Sequence, residues 1–404
     1  MSHPSFLLLG RPHAGTWLLA VQLAIGVVLG LHARHAVEAL HAARTAPSGI
    51  DEDRLLLVPW MKLAAHAAPD TEAVLRTLRA VPGVASATAS NQAPYGSSAW
   101  SVEVEPDTAP GRRHLASVYF ADDAFMATLG LSPAHGRGFL PGEYRDDAGD
   151  QQRLGMASAP VLVTSALARR LYGDADPLGR TFALASGARL HVVGVVGRLP
   201  PPATAHRPDG GTLVLPMRLA RADEAQFVVR YRGDARAVSG RIHAALAAAY
   251  PAAVVAAPVP LPVLRERALQ APKRAACVAL LACAAWWACC LGLLVLGGHR
   301  WIGEHAQEIS LRRATGASGA QLARRLRAEY LLLALGAGLA GLACAAWALP
   351  RLAPGRDAFA LSPWTVAATI ACTAAAVQLA AAWPVRLARR VPLHLVSRSP
   401  SVRL

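Results

Sequence analysis

Residues 275–298 read AACVALLACAAWWACCLGLLVLGG: twenty-four positions without one charged side chain. A hydrocarbon core of about 30 Å needs roughly 20 helical residues, so this stretch spans a membrane. Working outward, Thr16–Leu31 is also uncharged, and Tyr330–Leu349 and Ser362–Val385 follow downstream. The first of these is slightly short and resembles a secretory signal in length. It fades without a clean cleavage site into the helical pattern Leu31-His-Ala-Arg-His-Ala-Val-Glu-Ala-Leu40, and so reads as an uncleaved anchor.

Composition agrees with four spans. Of 404 residues, 53% are hydrophobic and 17% charged, with a mean hydropathy of +0.31. The net charge is +15, and only Lys62 and Lys273 are lysines. Such a balance suits nucleic acid or a membrane face, and the placement of the arginines decides. Arg300, Arg312, Arg313, Arg324, Arg325 and Arg327 crowd the loop 298–328 against Glu304 and Glu308. Arg386, Arg389, Arg390, Arg398 and Arg403 fill a tail without acids, while the loop Pro350–Leu361 holds Arg351, Arg356 and Asp357. Positive-inside logic puts both termini and the 298–328 loop in the cytoplasm. The basic excess is topological, and no nucleic-acid partner is expected.

The chain divides into a tail, first span and stalk (1–44), an extracytoplasmic domain (45–272), and a region with three spans, a cytoplasmic elbow at 299–328 and a basic tail (273–404). The outer domain reads as α+β, giving a membrane protein with a mixed α/β domain between the first two of four helices. Thr71–Arg79 has helical spacing, Pro82-Gly83 makes a turn and Val84–Thr88 alternates as a strand. The pattern recurs as strand Gln226–Tyr231, helix Ala235–Tyr250 and strand Ala253–Val259. Further strands are expected at 100–105, 115–119, 159–163 and 189–196, with a helix at 165–172 and a rigid loop at Leu199-Pro-Pro-Pro-Ala-Thr-Ala. A second lobe is expected between the helix-containing ends.

Several chemistries find no support. All six cysteines (Cys277, Cys283, Cys289, Cys290, Cys344, Cys372) fall within spans, where packing is the plain reading. A P-loop needs Gly-x-x-x-x-Gly-Lys-[Ser/Thr], and neither lysine has that context. Gly316-Ala-Ser-Gly-Ala320 ends in alanine rather than the glycine of a hydrolase elbow. His32, His35 and Glu38 share a helix face, where solvation at the headgroup boundary competes with metal binding; no metal site is expected. Gly336-Ala-Gly-Leu-Ala-Gly341 mimics a dinucleotide fingerprint but has neither strand nor acidic partner. Gly336, Gly338 and Gly341, with Gly26 and Gly30, are read as helix-packing positions. Trp17, Trp301, Trp347, Trp364 and Trp383 mark helix ends; Trp286 and Trp287 lie mid-span, facing lipid, helix or cleft.

The elbow carries the coupling expectation. Glu308–Arg313 extends the second span and Thr315-Gly316-Ala317 breaks it. Ser318 and Gln321 have capping-box spacing, so a new helix starts there and runs into the third span. Glu308, Ile309, Arg312, Arg313, Gly316, Ala317 and Ser318 are the candidate residues.

Three runs give a resemblance. Val118-Tyr-Phe-Ala-Asp-Asp-Ala-Phe-Met-Ala-Thr-Leu-Gly-Leu-Ser-Pro-Ala-His-Gly-Arg-Gly-Phe139, and Val161–Phe182 followed by His191-Val-Val-Gly-Val-Val-Gly197, resemble the periplasmic core domain of MacB-type ABC transporter permeases. Glu308-Ile-Ser-Leu-Arg-Arg-Ala-Thr-Gly-Ala-Ser318 is similar to the signature of MacB and FtsX-like permeases, with Gln307 and Ser310 where the family often has arginine and glycine. The resemblance implies a permease subunit without enzymatic activity or cofactor of its own in the cytoplasmic (inner) membrane. A separate ABC ATPase would bind ATP and Mg, a second permease chain (identical or related) would complete a dimer, and a periplasmic partner is allowed. It implies export or extraction of peptide, antibiotic or lipoprotein cargo. An FtsX-like regulator that activates a periplasmic partner without transport is the alternative, and a receptor without an ATPase is a third reading.

Overall fold

The computed structural model describes residues 14–59, 69–107, 111–146, 159–203, 211–304, 306–307, 309–310, 318–352 and 362–389. It divides into two compact units, one made of Met1–Ala43 with Pro272–Leu404, the other of Arg44–Ala271.

The first unit contains α1 (Ala14–Thr45), α7 (Gln270–Glu304), α8 (Gly319–Leu352) and α9 (Pro363–Arg389). These are the four helices long and apolar enough to cross a membrane. Each extends beyond its apolar stretch, because polar and small residues at the ends continue the helical backbone into water. One buried cluster joins Leu23 of α1, Cys290 and Leu294 of α7, Tyr330, Ala334 and Ala337 of α8, and Val377 and Ala381 of α9.

The second unit, lying in sequence between the first and second membrane helices, has two sheets. The smaller holds β1 (Leu55–Val58), β2 (Val84–Ser90), β11 (Gln226–Tyr231) and β12 (Val259–Pro260) in the antiparallel order β12-β1-β11-β2. Against it pack α2 (Thr71–Arg79), α3 (Phe125–Leu129), α5 (Ala235–Ala249) and α6 (Leu261–Ala268). In α2, Val74, Leu75 and Leu78 form the buried face, as the helical spacing of the sequence requires. Asp234 caps α5 by accepting from the Ala237 N–H at 2.7 Å.

The larger sheet holds β3 (Ser101–Pro106), β4 (His114–Ala121), β5 (Pro133–Gly136), β6 (Arg145–Asp146), β7 (Ala159–Thr164), β8 (Thr181–Leu184), β9 (Arg189–Val196) and β10 (Thr212–Arg218), with α4 (Ser165–Tyr172) following β7. The order β4-β3-β8-β9-β7-β10 returns to β4 through Leu213↔Val118 and Leu215↔Phe120, so six strands close into a ring. Closure removes exposed strand edges, which are otherwise templates for aggregation. Alternation then sorts the side chains: Ala116, Val118 and Phe120 of β4 enter one core, Tyr119 and Ala121 the other. Two glycines of the quoted motifs allow β5 and β9 to meet. A Cβ on Gly194 would lie 2.3 Å from the Arg137 carbonyl oxygen, and one on Gly136 2.5 Å from that of Val193.

The sequence-expected strand over Ala253–Val259 is a correction. Only Val259–Pro260 is strand, paired with Leu56 and Leu57. Pro258 and Pro260 supply no N–H for a longer ladder, and residues before them form a turn and an irregular segment.

Candidate functional site

Of the elbow residues, Glu308, Arg312, Arg313, Gly316 and Ala317 lie outside the described residues, while Ile309 and Ser318 lie within them. Ile309 is buried at 1% exposure with Ile302 of α7, Ala323 and Leu326 of α8 and Val385 of α9. Its side chain therefore faces its own chain. Ser310 is also buried, and its hydroxyl donates to the Gln307 carbonyl at 2.7 Å.

At the other side of the joint, the Ser318 N–H donates to Gln321 Oε1 at 3.0 Å and the Gln321 N–H donates to Ser318 Oγ at 3.2 Å. The reciprocal pair satisfies two of the donors that every helix start leaves orphaned. α8 begins at Gly319, immediately after it. Two further contacts tie the helices above this start. Gln378 Nε2 of α9 donates to the Arg327 carbonyl at 2.8 Å. A Cβ on Gly298 of α7 would meet Pro384 Cβ at 2.9 Å and the Tyr330 hydroxyl at 3.0 Å, so α7, α8 and α9 approach closely there. Among the described residues, Ile309 is thus packed against the helices on one side of the elbow, and Ser318 and Gln321 cap the helix start on the other.

The five packing glycines separate by geometry. Cβ atoms on Gly26 would come within 3.2 Å of Trp287 and 3.3 Å of Trp286, and on Gly341 within 2.7 Å of the Ala24 oxygen. Gly30 faces Cys283 Sγ at 3.9 Å, Gly338 faces Ile370 at 3.9 Å, and Gly336 meets nothing within 4 Å. Both mid-span tryptophans are half-buried against α1, and Trp286 Nε1 donates to the Gln22 carbonyl at 2.9 Å. Trp17, Trp347, Trp364 and Trp383 are exposed at helix ends. Among the described residues no three His, Cys, Asp or Glu side chains gather as metal ligands, and Glu38 pairs with Arg34 at 2.7 Å.

The outer unit has polar joints that no local spacing announces. Asp122, at the end of β4, accepts from the Thr88 hydroxyl, from the Ala89 N–H at 2.9 Å and from the Ala124 N–H at 3.1 Å. Burial pushes its carboxyl above the usual range, against the pull of those donors. Its neighbour Asp123 takes a forked pair from Arg218 at 2.6 and 3.0 Å, which holds its carboxyl below the usual range. Asn91 and Gln92 both donate to the Val118 carbonyl, at 3.0 and 2.8 Å, and Asn91 Oδ1 accepts from the Phe120 N–H at 2.9 Å. These bonds bind the end of β2 to β4, and thus the small sheet to the ring.

A family model for the MacB-like periplasmic core domain matches residues 18–248, and one for the FtsX-like permease C-terminal region matches 280–393. No curated protein matches the sequence. Among solved structures, the extracellular domain of the noncanonic ABC-type transporter YknZ from Gram-positive bacteria is 13% identical, with 50% of this chain and 99% of that one covered at a TM-score of 0.34. The periplasmic region of MacB from Actinobacillus actinomycetemcomitans is 11% identical, covering 56% of this chain and 96% of that one at 0.35. A domain of a permease protein from Porphyromonas gingivalis is 16% identical, covering 53% and 92% at 0.32. The core-domain model alone spans more than half of the chain, and the second model accounts for the last three membrane helices: the chain belongs to the MacB/FtsX-like ABC transporter permeases.

Proposed function

We propose that this permease is the membrane subunit of an ATP-driven complex, in which a separate cytoplasmic ATPase acts on the elbow and the helices pass the displacement to the outer unit. ATP and Mg belong to that ATPase. Two permease chains, identical or related, stand about a two-fold axis in the cytoplasmic membrane, with both termini inside. The cargo class is peptide, antibiotic or lipoprotein, handled at the outer face rather than carried through a pore. The observation that supports this reading is the elbow itself. Ile309 is sealed into a core shared by α7, α8 and α9, and the Ser318–Gln321 box starts α8 without slack.

The test uses Gly316→Val, at the turn expected from the sequence, where a β-branched residue is disfavoured when φ is positive. The variant is reconstituted with the ATPase that co-purifies from membranes. The expected result is wild-type abundance with ATP hydrolysis lost or unlinked from movement of the outer unit. Wild-type hydrolysis with full movement would return the elbow to being a plain cytoplasmic loop, as would failure of any ATPase to co-purify.

A further inference from the structure

Nothing in the sequence marks Glu52, Tyr95 or Arg265, yet the outer unit gathers them where its two ends meet. Arg44 lies in the last turn of α1, and Arg265 lies on α6, just ahead of the start of α7 at Gln270. Arg265 Nη2 donates to the Arg44 carbonyl at 3.1 Å and to the Ala46 carbonyl at 2.8 Å. Its Nη1 donates to Glu52 Oε2 at 2.9 Å. The other carboxylate oxygen, Glu52 Oε1, accepts from the Tyr95 hydroxyl at 2.6 Å. A helix C-terminus leaves its last carbonyls without partners and carries partial negative charge, so a guanidinium fork suits it on both counts. The Glu52 side chain is only 10% exposed and that of Arg265 24%, which shields the pair from the screening that makes surface ion pairs weak.

Tyr95 adds an independent sign. It is the one non-glycine residue with positive φ (59°) among the described residues. That conformation is disfavoured for an L-residue and persists only where its surroundings over-determine it. They do so here: the Tyr95 N–H donates to the Pro201 carbonyl at 3.2 Å, and the Ala203 N–H donates to the Gly96 carbonyl at 2.9 Å. The same proline connector is held to the ring, since Tyr119 of β4 donates to the Pro200 carbonyl at 2.7 Å and Thr212 of β10 to the Leu199 carbonyl at 3.1 Å. An unbroken path of hydrogen bonds thus runs from the end of α1, where the bond to the Arg44 carbonyl is exposed, through the half-buried bonds of Arg265, Glu52 and Tyr95 to the strand ring.

We infer that Arg265, Glu52 and Tyr95 form a positioning clasp, which locks the end of α1 to the α6 segment leading into α7 and delivers movement of either membrane helix to the ring through Tyr95. The inference rests on the transmission reading given under Proposed function. A purely structural ion pair would need neither the strained tyrosine nor its bond to the connector. The clasp sits at the two points where the chain enters and leaves the outer unit, so a shift of one relative to the other must strain or break it.

The experiment reconstitutes the full chain with its ATPase and follows ATP hydrolysis and hydrogen exchange, with and without ATP, at residues 43–48 and 199–203, where the Leu199 and Ala203 amides report because Pro200, Pro201 and Pro202 carry no N–H. Arg265→Gln is expected to raise exchange at 43–48 about tenfold without nucleotide, as a locally opened segment does, and to abolish the ATP-dependent change at 199–203. Arg265→Lys, which can still reach part of the acceptor set, is expected to recover at least part of that change. Tyr95→Phe removes one hydroxyl: it should leave 43–48 as in wild type yet lose the ATP response at 199–203, which a structural role alone would not produce. If Arg265→Gln fails to accumulate, Tyr95→Phe decides. A full ATP response at 199–203 in Tyr95→Phe, with wild type responding equally, overturns the clasp and leaves the transmission reading standing. No ATP response anywhere in the wild-type outer unit overturns the transmission reading, and the clasp's role with it.

Discussion

Gly341 of α8 lies so close to α1 that a Cβ on it would stand 2.7 Å from the Ala24 carbonyl oxygen and 2.8 Å from Val27 Cβ. The same run contains Gly336, where a Cβ meets nothing within 4 Å. Gly341→Ala must therefore push two helices apart, at a cost of about 1–3 kcal/mol for an overpacked contact. Gly336→Ala should stay within about 0.5 kcal/mol of wild type. Thermal unfolding of the full chain in detergent measures both, and equal midpoints for the two variants would remove Gly341 from the helix contact.

The cap at Ser318 sets the start of α8. Ser318→Ala should cost about 1 kcal/mol locally and raise hydrogen exchange at the Gln321 amide, whereas Ser318→Asp keeps a capping acceptor and should exchange as wild type does. Identical exchange in the alanine and aspartate variants would show that the reciprocal bonds do not hold the first turn.

Asp122 and Asp123 should respond to pH in opposite senses. Arg218 holds the Asp123 carboxyl low, so its contribution is present above the unfolded value of about 3.9 and is lost as pH falls through the lower folded value. Burial pushes Asp122 up, so the folded state binds that proton more readily. Its contribution is fullest at and below the unfolded value and declines as pH rises through the folded one. Against wild type, the stability deficit of Asp123→Asn should shrink between pH 7 and 3, while that of Asp122→Asn should grow. Urea unfolding of the outer unit, followed in the full chain, gives both trends; parallel trends contradict the assignment.

Topology is testable with single cysteines in a chain whose six native cysteines are replaced by alanine. Ser97 is an exposed residue of the outer unit. Ser97→Cys should react with an impermeant maleimide in intact spheroplasts, and Ser318→Cys only after permeabilisation. Labelling of Ser318→Cys in intact cells would invert the proposed orientation.

Periodic elements were legible in the sequence. α2, α4, β9 and β11 fall on the ranges read from the sequence, and in α2 and α4 one face is buried while the other is open. Leu55-Leu-Leu-Val58 and Thr212–Met217 escaped that reading; both are buried at every position and show no alternation, as does β7, which the sequence reading did place. Ring closure was equally silent: Thr212 pairs with Ser117 across a long stretch of chain, and no local residue choice encodes it. At the elbow, the Ser318–Gln321 spacing announced its own bonds. The inward burial of Ile309 needed three helices to be placed first, and Arg265 finds Glu52 across 213 positions.

The hydrogen bonds from Arg265 to Arg44 and Ala46 mean that the outer unit begins and ends at one spot. An insertion with joined ends behaves as a cassette. Its interior can lengthen or shorten without parting those ends, because Arg265 ties them to each other directly.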